Sequence, residues 1–259
     1  MDFNKKLIWS EYQKAIFKDI KEGKGDTLIS AVAGASKTTV LIEGFKYIPR
    51  GKKALMCAFN KSIQMELKDK APSYVECATL HSLGFRTIKQ KFGNVQLDNF
   101  KTYKIAESLS RKDNDVISEI CRTVSLCKAH LIDTPDKIDQ LIDEFDIETF
   151  TITRSDFISF VIKTLSECKK DTKTIDYDDM VWFPFVYNLS IGKYDVIFVD
   201  ECQDLSKNMI AMILKAKKID GRIIFTGDKF QSLYKFRGAD SNSVNNILNL
   251  TGAKTLPLS

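Results

Sequence analysis

The chain has 259 residues, of which 44% are hydrophobic and 28% charged, with a net charge of +5. That length exceeds the usual single domain of ~100–200 residues and suits one large domain, or a domain carrying an insertion. No run of ~18 apolar residues marks a membrane span, and no apolar signal core follows Met1-Asp2-Phe3-Asn4-Lys5-Lys6, which argues against secretion. Six cysteines without a Cys-x-x-Cys pair, and only two histidines, His81 and His130, disfavour a zinc or disulfide framework. They point to free thiols in a reducing, intracellular compartment, either cytoplasm or nucleus. The mild positive charge permits a polyanionic partner without requiring one.

Taken in order, Trp9–Phe17 reads as a helix start, with Ser10 as N-cap and Gln13 completing a capping box. A glutamine just upstream of a phosphate loop also suits adenine, because its amide both donates and accepts. Thr27–Ser30 is a short apolar strand, and Ala31–Thr39 follows as Ala-Val-Ala-Gly-Ala-Ser-Lys-Thr-Thr, leading into Val40-Leu41-Ile42. Strand, tight loop and a helix opening on Lys-Thr form the context of a nucleotide-phosphate loop. Ala33, Gly34, Ala35, Ser36, Lys37, Thr38 and Thr39 are its candidate nucleotide-binding residues. The regular pattern has glycine where this chain has Ser36 and Ala31, so an ordinary helix N-terminus reading Ser-Lys-Thr is the competing interpretation.

Ala54–Phe59 and Tyr74–Thr79 read as further strands, followed by helices over Ser62–Asp69 and Leu83–Lys91. Strands alternating with helices imply a parallel sheet, whose ligands gather at the carboxyl ends of the strands. Phe59-Asn60-Lys61 and Thr79-Leu80-His81-Ser82 fall at such ends. An aromatic ring and a hydroxyl beside cations suit single-stranded nucleic acid. From about Asn94 to Thr172 the pattern turns helical, over Phe100–Leu109, Val116–His130, Asp136–Phe145 and Ser155–Lys169, with one short strand expected at Phe150-Thr151-Ile152. Residues 93–172 are therefore expected as a helical insertion, with its lysines and arginines on a solvated face or, less simply, in contact with DNA.

Tyr177 to Leu189 returns as a helix, and Tyr194–Val199 is a strongly apolar strand running into Asp200-Glu201-Cys202-Gln203-Asp204. Two adjacent acids ending a core strand that can lie beside the phosphate-loop strand suit metal binding by Asp200 and activation of water by Glu201. Arg222–Thr226 is another strand, leading into Gly227–Ala239, where a glutamine near a γ-phosphate can couple nucleotide state to an aromatic surface. Val244–Leu250 reads as a helix and Lys254–Pro257 as the start of a strand.

Seven of these stretches, in this order, resemble the superfamily 1 helicases of the UvrD/Rep type, most closely their F-box-helicase-like and viral branch. They are Trp9–Gln13, Ala31–Thr39, Ala58–Lys61, Thr79–Ser82, Asp176–Met180, Val199–Asp204 and Gly227–Asp240. The resemblance implies a RecA-like α/β domain with a parallel sheet, residues 1–92 and 173–259, interrupted by the helical insertion. It implies adenine recognition by Gln13, phosphate binding by Lys37, Mg²⁺ on Thr38 and Asp200, Glu201 as base, Gln231 as γ-phosphate sensor, and Arg237 linking the ATP and DNA sites. Phe59, Asn60, Lys61, Thr79, His81, Tyr234 and Phe236 fall where the family binds single-stranded DNA, and Asp179 matches a motif of less clear role. The implied activity is ATP-driven 3′–5′ movement on single-stranded DNA or a single-strand/duplex junction, without a membrane partner. The chain reaches Ser259 where the family's fourth motif would begin, so a second RecA-like domain is expected to come from elsewhere. A module that binds nucleotide or DNA without turnover is the alternative.

Overall fold

The computed structural model describes residues 8–32, 34–110, 113–228 and 242–259. Helix α1 (Glu11–Glu22) leads to β1 (Thr27–Ala31), α2 (Lys37–Gly44), β2 (Ala54–Ala58), α3 (Lys61–Lys70), β3 (Val75–Thr79) and α4 (Leu80–Phe92). A short strand β4 (Gln96–Leu97) precedes α5 (Lys101–Ser110), α6 (Asn114–His130), α7 (Pro135–Glu144) and α8 (Arg154–Lys170). The chain returns through β5 (Thr174–Ile175), α9 (Tyr177–Val186), β6 (Tyr194–Val199), α10 (Lys207–Ala216), β7 (Lys217–Gly227), α11 (Ser243–Thr251) and β8 (Lys254–Leu258). None of the described helices is long and apolar enough to cross a membrane.

Six strands form one parallel sheet in the order β3-β2-β6-β7-β1-β8. The register sets Ala58 beside Thr79, Cys57 beside Val199, and Val199 beside Phe225, so the carboxyl ends stand close to level. A buried parallel strand must satisfy two faces, and β6 does so by alternation. Its Val196 and Phe198 join a layer with Ile16, Phe17, Leu41, Phe45 and Met56. Its Ile197 and Val199 face the opposite layer, with Leu83, Ile213, Phe225 and Ile247. A third apolar cluster holds α6, α7 and α8 together through Ile120, Val124, Leu141, Phe157 and Val161, and reaches Met180 and Phe183 of α9.

Four details differ from the sequence expectations. First, β6 does not lie beside the phosphate-loop strand, because β7 pairs with both and separates them. Second, Phe150-Thr151-Ile152 forms a turn rather than a strand, with Phe150 at φ 51°. Third, β4, just before α5, pairs in parallel with β5, just after α8, a ladder of two residues per strand too short to give a periodic signal. Fourth, two lysines of the insertion are not on a solvated face: Lys101 is 2% exposed and Lys128 0%. The six cysteines are free, and all but Cys121 are buried.

Candidate nucleotide site and adjoining cleft

The loop after β1 makes its sharp turn through two left-handed residues, Gly34 at φ 79° and Ser36 at φ 52°, ψ 38°. Ala35 N–H donates to the Val32 carbonyl at 3.2 Å, and Val32 N–H to Leu258 of β8 at 3.2 Å. Ser36 is the N-cap of α2 but makes no side-chain capping bond. The first N–H groups of α2 have no intrahelical acceptor, which suits the backbone of Lys37, Thr38 and Thr39 to an anion. Glycine is the residue that adopts φ near +50° without cost, so the sequence departure at Ser36 falls on a position whose backbone shape disfavours a Cβ.

Across the sheet edge, β6 delivers Asp200 and Glu201. Lys37 Nζ donates to Glu201 Oε2 at 2.6 Å, although 164 residues separate them. Glu201 also sits in left-handed backbone, at φ 50°. Its own N–H donates to Asp200 Oδ1 at 3.0 Å. Burial first, and the neighbouring Glu201 second, push the Asp200 carboxyl up to about 6. Two carboxylates facing one ammonium leave excess negative charge, on oxygen donors, at a buried strand end. Among the described residues no group of three His, Cys, Asp or Glu side chains gathers as a self-sufficient metal site. Such a partial donor set suits Mg²⁺, which binds through one or two protein oxygens and completes its shell with water and phosphate.

Sequence reasoning assigned no role to Gln203, which organises this corner. Its Nε2 donates to Glu201 Oε2 at 2.8 Å and to Asp204 Oδ2 at 3.3 Å, while its Oε1 accepts from Asp228 N–H at 3.2 Å. The signal was its place among four polar residues in five after a buried strand. Gly227 leaves room for this arrangement, because a Cβ would stand 2.6 Å from Gln203 Oε1 and 2.7 Å from Cys202 Sγ and both side chains would have to shift.

Several predicted contact residues serve as helix caps. Gln13 Oε1 accepts from Ser10 N–H at 2.9 Å, the capping box expected from the sequence. Asn60 Oδ1 accepts from Ile63 N–H at 2.9 Å, and Thr79 Oγ1 from Ser82 N–H at 3.1 Å. Phe59 is 40% exposed, and Lys61 is exposed at the start of α3. His81 is partly buried, and desolvation lowers its pKa below the ordinary value. Its ring meets Tyr177 edge-on, with centroids 5.8 Å apart. Phe59, His81, Tyr177, Asp178 and Arg122 line a cleft of about 590 Å³ that reaches Asp200. The strand ends thus bring Lys37, Asp200 and Glu201 together, and set Phe59 and His81 on a cleft sharing Asp200 as a wall. Ala33, Gln231, Tyr234, Phe236 and Arg237 lie outside the described residues.

The family model for the UvrD/REP helicase N-terminal domain matches residues 11–251 of this chain. F-box DNA helicase protein 1 of Schizosaccharomyces pombe is 25% identical, over 93% of this chain and 30% of that protein. ATP-dependent DNA helicase PcrA of Bacillus subtilis is 23% identical, over 87% of this chain and 34% of that protein. Gabija protein GajB of Bacillus cereus is 26% identical, over 88% of this chain and 42% of that protein. The chain spans about a third of the length of the first of these curated relatives.

Proposed function

The chain belongs to the UvrD/REP helicase N-terminal domain family, and from that premise we propose that it binds and hydrolyses ATP in response to single-stranded DNA. In this reading it is the ATP-binding core of a 3′–5′ DNA helicase, with residues 93–172 as its helical insertion. Movement along DNA needs a second RecA-like domain. The observation that carries the reading is the contact between Lys37 and Glu201, which brings the phosphate loop and the acidic pair into one site.

The α2 N-terminus and Lys37 hold the β- and γ-phosphates, and Gln13 recognises the adenine. Mg²⁺, when bound by Thr38 and Asp200, supplies charge neutralisation at the phosphates. Phosphate binding draws Lys37 away from Glu201, which frees that carboxylate to orient a water and take its proton. The water attacks the γ-phosphorus in line, the bond to the β–γ bridging oxygen breaks, and ADP and inorganic phosphate leave. Gln203 holds Glu201 throughout, while Gln231 and Arg237 report the γ-phosphate to the DNA side. The single strand runs across Phe59, Lys61, His81, Tyr234 and Phe236, with rings stacking on bases. Asn60 and Thr79 support this surface by fixing the starts of α3 and α4, and also present their backbone to the strand.

The test is the steady-state release of phosphate from ATP, with and without single-stranded DNA. Stimulated turnover is expected to be abolished by Lys37→Ala. Turnover indifferent to both the DNA and the substitution overturns the reading. A second reading, a binding module without turnover, is favoured by Ser36, whose left-handed backbone burdens the loop. Tight nucleotide binding with no phosphate release under any DNA condition, with or without a supplied second domain, selects it.

A further inference from the structure

Asp176-Tyr-Asp-Asp-Met180 stands out in the sequence, yet ATP chemistry does not use it. Its outer aspartates lie in a buried charge cluster with two lysines of the insertion. Lys128 of α6 places Nζ 2.9 Å from Asp176 Oδ2 and 2.9 Å from Asp179 Oδ1, and donates to Thr102 Oγ1 at 3.2 Å. Lys101 of α5 donates to Asp179 Oδ2 at 2.7 Å and to the carbonyls of Cys168 and Asp171 at 2.8 and 2.9 Å. The two ammoniums lie 4.9 and 5.5 Å from the rings of Phe183 and Trp182. Desolvation opposes the charge on Lys128, and the carboxylates of Asp179 and Asp176 outweigh it and keep the amine protonated.

Such a cluster is a poor source of stability compared with apolar packing, and its attested use is to select one geometry. The geometry in question belongs to the start of α9. Asp176 and Asp179 close a capping box there: Asp176 Oδ1 accepts from Asp179 N–H at 2.8 Å and Asp179 Oδ2 from Asp176 N–H at 3.2 Å. The two residues between them, Tyr177 and Asp178, face the cleft that also contains Phe59 and His81. The same turn of α6 reaches the start of α10, where the Lys128 carbonyl accepts from Asn208 Nδ2 at 3.1 Å.

We propose that Lys101 and Lys128 are positioning residues for single-stranded DNA: by clamping Asp176 and Asp179 they fix Tyr177 and Asp178 at the cleft. The inference rests on the reading of this cleft as part of the single-strand track. Tyr177 is 54% exposed and meets His81 edge-on, so its ring can extend the aromatic surface begun by Phe59. The insertion thereby sets DNA affinity from a buried site that touches neither DNA nor ATP.

The obvious variant, Lys128→Met, strands the buried Asp176 carboxylate and threatens folding, so the decisive variant is the charge-neutral pair Lys128→Met with Asp176→Asn. That pair removes one ammonium and one carboxylate and leaves Asp179 with Lys101. The probe is a fluorescent oligodeoxythymidylate followed by anisotropy, with a fluorescent ATP analogue titrated in parallel. Expected is a loss of DNA affinity of about tenfold, the size of one stacking contact, with nucleotide affinity unchanged. Tyr177→Ala is expected to give a similar loss, and the triple variant no further loss, because both changes remove the same contact. Wild-type DNA affinity in a folded neutral pair, or losses that multiply in the triple variant, overturns the proposal while leaving the cleft reading intact. Failure of the wild-type chain to bind the oligonucleotide overturns both.

Discussion

Lys37 Nζ and Glu201 Oε2 stand 2.6 Å apart, so the cation proposed to grip phosphate and the carboxylate proposed to activate water neutralise each other. Glu201→Gln breaks this pair without changing the shape of the side chain. Turnover is expected to fall about 10²–10⁴-fold, the range for losing a general base. ATP affinity is expected to rise by up to about fivefold, because a partly exposed ion pair worth ~0.2–1 kcal/mol no longer competes for Lys37. Equilibrium binding of a fluorescent ATP analogue checks the second half, and a fall in affinity contradicts it.

Ser36 tests the loop itself. A non-glycine residue in left-handed backbone costs ~1–2 kcal/mol, part of which glycine returns through its larger unfolded-state entropy. Ser36→Gly should therefore raise stability by about 0.5–1 kcal/mol and leave ATP affinity equal or better. Ser36→Val should do the opposite on both counts, since a β-branched residue resists φ near 52° most strongly. Thermal melts and nucleotide titrations of the two variants measure the contrast, and a loss of ATP affinity in Ser36→Gly means that the hydroxyl itself binds phosphate.

Gly84 allows α4 and α9 to meet. A Cβ built there stands 1.7 Å from the Met180 carbonyl oxygen, so the two helices must part. Gly84→Ala should cost about 1–3 kcal/mol, as overpacking does, and should separate His81 at the start of α4 from Tyr177 at the start of α9. A melting temperature within error of wild type contradicts the packing described.

His81 gives a pH signature. Burial lowers its pKa from the ordinary 6.5, so between the folded value and 6.5 the unfolded chain binds more protons. Stability from this group is present above 6.5 and declines as the pH falls through that window. His81→Gln should flatten this part of the stability profile, measured by denaturant unfolding at a series of pH values. An unchanged slope shows that the imidazole titrates as it does in the unfolded chain.

What the sequence revealed, and what it hid, follow a physical division. Apolar runs ending in Lys-Thr, Phe-Asn-Lys and Asp-Glu disclosed the strands and their carboxyl ends, because a buried parallel strand is largely apolar and its polar residues collect where it ends. Strand order was not legible: nothing in Tyr194–Val199 states that β7 lies between it and β1. Lys101 and Lys128 were unreadable for another reason. A lysine at helical spacing looks the same whether its ammonium meets water or a buried aspartate, and the partners, Asp176 and Asp179, lie some 50–80 residues away. Asn60 and Thr79 were legible as strand-end residues but not as helix caps, since a cap depends on where the helix starts, the least certain boundary in a sequence.

The insertion of β7 between β1 and β6 has a metric consequence. Strands in a sheet are spaced by their peptide hydrogen bonds at ~4.8 Å, so the phosphate loop and the acidic pair are held about two spacings apart, roughly 10 Å, by backbone alone. No side-chain substitution alters that width. Serine, threonine and aspartate are too short to cross it, and a lysine extended from one bank can. The candidate nucleotide site is in this sense a gap of fixed gauge, and Lys37 is a side chain long enough to cross it.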